Sequence, residues 1–144
     1  MRPRRPTELV GWREWVRIPS LTPHAVKAKV DTGARTSSLH AFDLRVTDGI
    51  ARFAVHPHQR DDSDASWVEL PVLENRTVRP STGEEEERPV VVVEIVLGPD
   101  RFEVELTLTD RDQMGFRMLL GRTALRARYV VDPGRSYQRG ERPR

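Results

Sequence analysis

The 144 residues include 24 Lys+Arg and 22 Asp+Glu, for a formal net charge of +2, with 37% hydrophobic and 32% charged residues. This is the balance of one soluble, polar-surfaced domain with a single core, and it excludes a disordered chain. Cysteine is absent, which removes disulfides, thiolate zinc sites and cysteine nucleophiles together. No stretch approaches the ~18 apolar residues of a membrane span, and the basic start Met1 to Pro6 is not followed by an apolar run, so a cytoplasmic location without membrane association is expected.

In chain order, residues 1–7 read as a disordered basic tail, 8–133 as the folded domain, and 134–144 as an Arg-rich flexible tail. Val10, Trp12, Glu14, Val16 and Ile18 share one parity, predicting a strand that ends at Pro19. Val26, Ala28 and Val30 alternate with Lys27 and Lys29, predicting a second strand. Leu39 to Val46 and Ala51 to Val55 read as a hairpin turning at Asp48-Gly49, and Trp67 to Leu73 as a further strand. The β-branched run Val90 to Leu97 suits a strand, and it turns at Gly98-Pro99-Asp100 into the alternating stretch Phe102 to Leu108. Arg122 to Ala127 is the one short helix expected, and Arg128 to Asp132 the closing strand. The sum is an all-β barrel with a short C-terminal helix.

Two polar loops interrupt this pattern. One runs from His56 through His58, Asp61, Asp62 and Asp64. The other, Arg79 to Arg88, contains four consecutive glutamates that repel one another and stay in water, which makes it a candidate mobile hairpin.

Arginine outnumbers lysine 22 to 2. Arginine makes bidentate contacts to carboxylates, so an acidic partner is conceivable, although codon bias explains the surplus as well. Aromatic residues are few and do not interleave with the basic ones, so no nucleic-acid partner is expected.

The chemistry concentrates at Asp31-Thr32-Gly33, which follows the Val26–Val30 strand. A strand that ends in an acid and turns on glycine holds that acid at the floor of a cleft. Two such acids placed together cannot both ionise, so one polarises a water while the other supplies a proton. The tripeptide occurs once, so the second acid must come from another copy of the chain, and this mechanism requires a homodimer.

Asp31-Thr32-Gly33-Ala34, taken with Leu119-Leu120-Gly121-Arg122 and the short helix after it, resembles the retropepsin-like aspartic peptidases. More narrowly, Lys29 to Ala41, Gly83 to Pro89, Leu106 to Arg111, Met114 to Leu125 and Val131 to Pro133 resemble a bacterial family that carries the label ATP-dependent zinc protease. The resemblance implies a closed acid-protease barrel with a flap hairpin. It implies a catalytic Asp31 supported by Thr32 and Gly33, and substrate contacts at Ala34, Arg35, Ser81, Thr82 and Gly83. Gly121 and Arg122 would brace the active-site loop. Viral members follow Asp-Thr-Gly-Ala with acids, whereas this chain has Arg35, which adds positive charge and favours an acidic substrate. The family accompanies ATP-grasp ligases that add glutamates, so glutamate-rich or poly-glutamyl peptides are the implied substrate.

The family label finds little in the residues. No His-Glu-x-x-His and no Gly-x-x-x-x-Gly-Lys-Ser/Thr is present, so no metal and no cofactor is expected. Two alternatives remain at this point. One is a non-catalytic binding module in which Asp31 is structural. The other is a metal-dependent hydrolase using His56 and His58 with the nearby aspartates.

Overall fold

The computed structural model describes residues 8–79, 83–111 and 115–142. Its elements are β1 (Glu8–Val10), β2 (Arg13–Val16), β3 (Val26–Val30), β4 (Ser37–His40), β5 (Phe42–Thr47), β6 (Ile50–Val55), β7 (Ser66–Pro71), β8 (Glu74–Val78), β9 (Glu86–Leu97), β10 (Asp100–Thr109), β11 (Met118–Leu120), α1 (Arg122–Leu125) and β12 (Tyr129–Val131). The all-β expectation with one short helix holds.

Alternation drives the main sheet. β3 buries Val26, Ala28 and Val30 and leaves both lysines partly exposed, while β9 and β10 bury Val91, Val93, Ile95, Leu106 and Leu108 against them. Full burial of each such side chain contributes roughly 1.5–3 kcal/mol, which outweighs the weak local propensity of these short segments. The main sheet runs β2-β3-β11-β4-β10-β9-β8. A bridge between Arg17 and Val96 joins the end of β2 to β9 but does not extend into a ladder. The expected closed barrel is therefore not seen as a closed sheet: only one residue of the chain after β2 reaches β9 before Pro19 turns it away.

Three further departures have local causes. The run Val10 to Ile18 splits at Gly11, where an added Cβ would lie 2.1 Å from the Arg135 carbonyl oxygen, because the C-terminal segment crosses there. The run Leu39 to Val46 splits at Ala41, so β4 joins the main sheet while β5 joins a separate three-stranded sheet, β5-β6-β7. β9 starts at Glu86 rather than Val90, because it pairs with β8, a strand absent from the sequence-based expectation. The two-residue turn at Asp48-Gly49 forms as expected, with φ of 51° and 75° at its two central residues.

The flexible tail expected from residue 134 is corrected for residues 134–142. Tyr137 stacks on Trp15 with ring centroids 5.6 Å apart, and Trp12 N–H donates to Arg135 O at 2.8 Å. Glu14, fully buried on β2, accepts backbone N–H groups from Gly11 (2.7 Å), Gln138 (2.8 Å) and Arg139 (2.9 Å). The expected tail at residues 1–7 lies outside the described residues. Among the described residues, no helix is long and apolar enough to cross a membrane.

Candidate active site

The loop that carries Asp31 is held from both sides by one short strand. β11 pairs in parallel with β3 and antiparallel with β4, so it is wedged between the strand entering the loop and the strand leaving it. At the corner, Asp31 N–H donates to Leu120 O at 2.9 Å. The residues after β11 then fasten the loop itself: Arg122 N–H donates to Ala34 O (2.8 Å) and Thr123 N–H to Arg35 O (3.0 Å).

Within the loop, Gly33 N–H donates to Asp31 Oδ1 at 3.0 Å, and Ala34 N–H to Asp31 O at 3.2 Å. The carboxyl group is thus oriented by its own turn. Asp31 is half-buried, Thr32 and Gly33 are exposed, and the acid can meet a ligand.

Gly121 and Arg122 each contact this loop or the segment that follows it. Gly121 is buried, with its N–H on Ser37 Oγ at 3.0 Å. A Cβ there would lie 2.6 Å from Thr36 C and 2.8 Å from Thr36 O, so only glycine lets the two segments approach this closely. Arg122 Nη1 donates to Thr32 O at 3.0 Å. With Arg35 standing where viral enzymes have an acid, the guanidinium holds the loop by a backbone carbonyl instead.

A cleft of about 350 Å³ opens beside the loop, lined by Arg35, Thr36, Arg76, Glu103, Glu105 and Thr123 among others. Arg76, from β8, donates to Thr36 Oγ1 at 3.3 Å and pairs with Glu105 at 2.7 Å and with Glu74. Sequence reasoning missed Thr36, Ser37 and Arg76. The hydroxyl run Thr36-Ser37-Ser38 was a usable signal for the first two, whereas nothing local marks Arg76.

Of the three expected flap residues, only Gly83, in the connection that precedes β9, is described. Ser81 and Thr82 lie outside the described residues, and Gly83 is exposed. Where β9 leaves the connection from β8, Glu86 pairs with Arg88 at 2.6 Å and Arg111 at 3.0 Å, and accepts from Thr109 Oγ1 at 3.0 Å. Burial opposes ionisation of Glu86, yet these partners hold its carboxyl below the ordinary glutamate range.

The histidine pair of the alternative metal reading is divided. His56 Nδ1 meets Asp62 at 2.7 Å and its ring stacks on Phe42 at 3.7 Å, whereas His58 Nε2 meets Asp64 at 2.7 Å. The two rings serve different partners, so they do not form one site.

A strand-borne Asp-Thr-Gly loop, wedged by a strand that ends in Leu-Leu-Gly-Arg, matches a family model described as RimB-like, retropepsin-like aspartic endopeptidase RimB, over residues 9–142. The chain belongs to this RimB-like family. The match runs through the docked C-terminal segment, in keeping with its place in the fold. A probable alpha-L-glutamate ligase from Parasynechococcus marenigrum is 48% identical over 137 residues, covering 92% of this chain and 29% of the ligase. Another, from Shewanella pealeana, is 43% identical over 138 residues, covering 93% of this chain and 30% of that protein. The chain thus spans about 30% of the length of these curated relatives. A crystal structure of a Legionella pneumophila protein of unknown function is similar with a TM-score of 0.74 and 25% identity, covering 92% of this chain and 98% of that one.

Proposed function

We propose that two copies of this chain form an aspartic peptidase whose paired Asp31 carboxylates activate one water. One Asp31 accepts a proton from the water, and the resulting oxygen nucleophile attacks the peptide carbonyl carbon. The other Asp31 stabilises the developing oxyanion by donating its proton. Collapse of the tetrahedral intermediate then breaks the C–N bond as a proton passes to the leaving nitrogen. Thr32 and Gly33 hold the carboxylates in register, and the β8–β9 hairpin covers the bound peptide.

The observation that carries this reading is the oriented, ligand-accessible Asp31 in a loop fastened at Leu120, Gly121 and Arg122. The substrate class follows from charge and from the relatives. Arg35 is exposed beside the loop, and proteins that contain a segment like this chain are named alpha-L-glutamate ligases. A glutamate-rich or poly-glutamyl peptide, the kind of product an ATP-grasp ligase makes, suits both.

The test is turnover of poly-glutamyl and neutral peptides across pH 4–8 by the wild type and by Asp31→Asn, alongside sedimentation. Cleavage by a dimeric wild type and none by the variant is expected. Equal turnover by both proteins, or full activity from a strict monomer, would refute the dyad and favour a binding module instead.

A further inference from the structure

At the other end of β3 from Asp31, three side chains with metal-ligand chemistry converge. His24 lies in the turn that leads into β3, and His58 and Asp64 come from the loop between β6 and β7. One ligand atom from each lies within 4.8 Å of the others. His58 Nε2 is 2.7 Å from Asp64 Oδ2, and His24 Nε2 is 3.7 Å from the same oxygen. The two rings are tilted by 58° with centroids 5.4 Å apart, so both point their Nε2 atoms toward the carboxylate without stacking.

We propose that His24, His58 and Asp64 form a zinc site that clamps the 56–64 loop to the turn before β3. Tetrahedral zinc with bonds of about 2.0–2.2 Å sets its ligand atoms roughly 3.3–3.5 Å apart, and the two observed separations bracket that value. Two imidazoles and one carboxylate leave a fourth position for water. The donor set suits zinc better than magnesium or calcium, which take oxygen ligands. The three residues come from two segments joined here by no backbone ladder, so the metal would supply a cross-link the sheets do not.

The site lies apart from Asp31. His24 and Asp31 are seven residues apart along an extended strand, which puts the zinc roughly 20 Å from the carboxyl group at about 3.3 Å per residue. It is also distinct from the His56 and His58 pairing considered from sequence, because His56 is committed to Asp62 and Phe42.

A competing contact makes the proposal specific. Arg142 Nη2 lies 3.2 Å from His58 Nδ1 and donates to it, which requires the imidazole proton to sit on Nε2, facing Asp64. Zinc on Nε2 moves that proton to Nδ1, turning the acceptor into a donor and expelling Arg142. Metal binding and the docking of Arg142 are therefore mutually exclusive at this ring.

The experiment is calorimetric titration of zinc chloride into the wild type, His24→Asn, His58→Asn, Asp64→Asn, Arg142→Ala and the control His56→Asn. Thermal melts of the metal-free proteins check that each variant is folded. One zinc per chain is expected, weakened at least tenfold by each ligand substitution, unchanged by His56→Asn and tightened several-fold by Arg142→Ala. The same titration of Asp31→Asn should match the wild type, so the result stands whatever becomes of the peptidase reading. No saturable uptake by the wild type, or uptake that survives both His24→Asn and Asp64→Asn, would overturn the proposal.

Discussion

Replacing Gly121 by alanine adds a single methyl group to a residue whose φ of −91° any amino acid accepts, so backbone strain contributes nothing. The cost is one of space. The new Cβ would lie 2.6 Å from Thr36 C, 2.8 Å from Thr36 O and 2.9 Å from Ser37 N, all main-chain atoms of the segment that carries the site. These atoms cannot rotate away as a side chain would, so β11 and the loop must separate. Overpacking of this kind costs about 1–3 kcal/mol. Separation also weakens the bonds from Gly121 to Ser37 and from Arg122 to Ala34, each contributing about 1 kcal/mol. A total near 3–4 kcal/mol is expected, readable as a shift of about 1.5–2 M in the urea midpoint for a domain with m near 2 kcal/mol/M. Gly83→Ala is the matched control, because nothing lies within 4 Å of a Cβ there. If Gly121→Ala unfolds within 0.5 kcal/mol of the wild type, roughly the scatter of neutral surface changes, the close approach does not hold the loop and the bracing account fails.

Glu14→Ala should destabilise by about 3–5 kcal/mol in the same urea assay, since it strands three main-chain N–H donors at Gly11, Gln138 and Arg139. It should also make the segment from Gly134 onward sensitive to limited proteolysis before global unfolding. Arg122→Ala should leave stability within about 1 kcal/mol while lowering peptide turnover, because its guanidinium holds the exposed Thr32 carbonyl rather than the core. Glu86 has a lowered carboxyl pKa in the folded protein, so it contributes stability that is present above the unfolded glutamate range and lost as pH falls through the folded value. Glu86→Gln should therefore flatten the acid limb of a stability-versus-pH curve below about pH 5. Tyr129, raised well above the ordinary phenol range by burial and then by its bond to Asp100 at 2.7 Å, should stay un-ionised in ultraviolet titration until the protein unfolds in alkali.

Much of this molecule can be read from one-dimensional pattern, and the exceptions share a cause. β3, β6, β10 and the Asp48-Gly49 turn follow from alternation and turn chemistry, which act over a few residues. Asp31-Thr32-Gly33 and Leu119 to Arg122 stand out in the sequence because they form a motif, and the fold brings the two segments together. What was missed depends on partners distant in sequence. β8 is half polar and forms because β9 offers it an edge. The segment 134–142 looks like a tail until the buried carboxylate of Glu14 is seen to receive its N–H groups. Even Glu14 was read on the correct inward parity, but an acid on that face has no explanation in a strand pattern alone. His24 carries no signal in the sequence for the same reason: 34 positions separate it from His58, and only the fold brings the two rings together.

The wedging of β11 also bears on how the molecule is made. Gly121 reaches Ser37 across 84 positions and Arg122 reaches Thr32 across 90. An emerging polypeptide that has not yet presented Met118 to Arg122 contains Asp31 and its turn but lacks the strand and helix start that fasten the loop. Contacts this distant are costly to close and slow to form, so the site should be the last part to become ordered. Its amide protons should then exchange by local opening ahead of those in β9 and β10, and a chain halted at β10 would have most of a core and an Asp31 loop that nothing downstream has fastened.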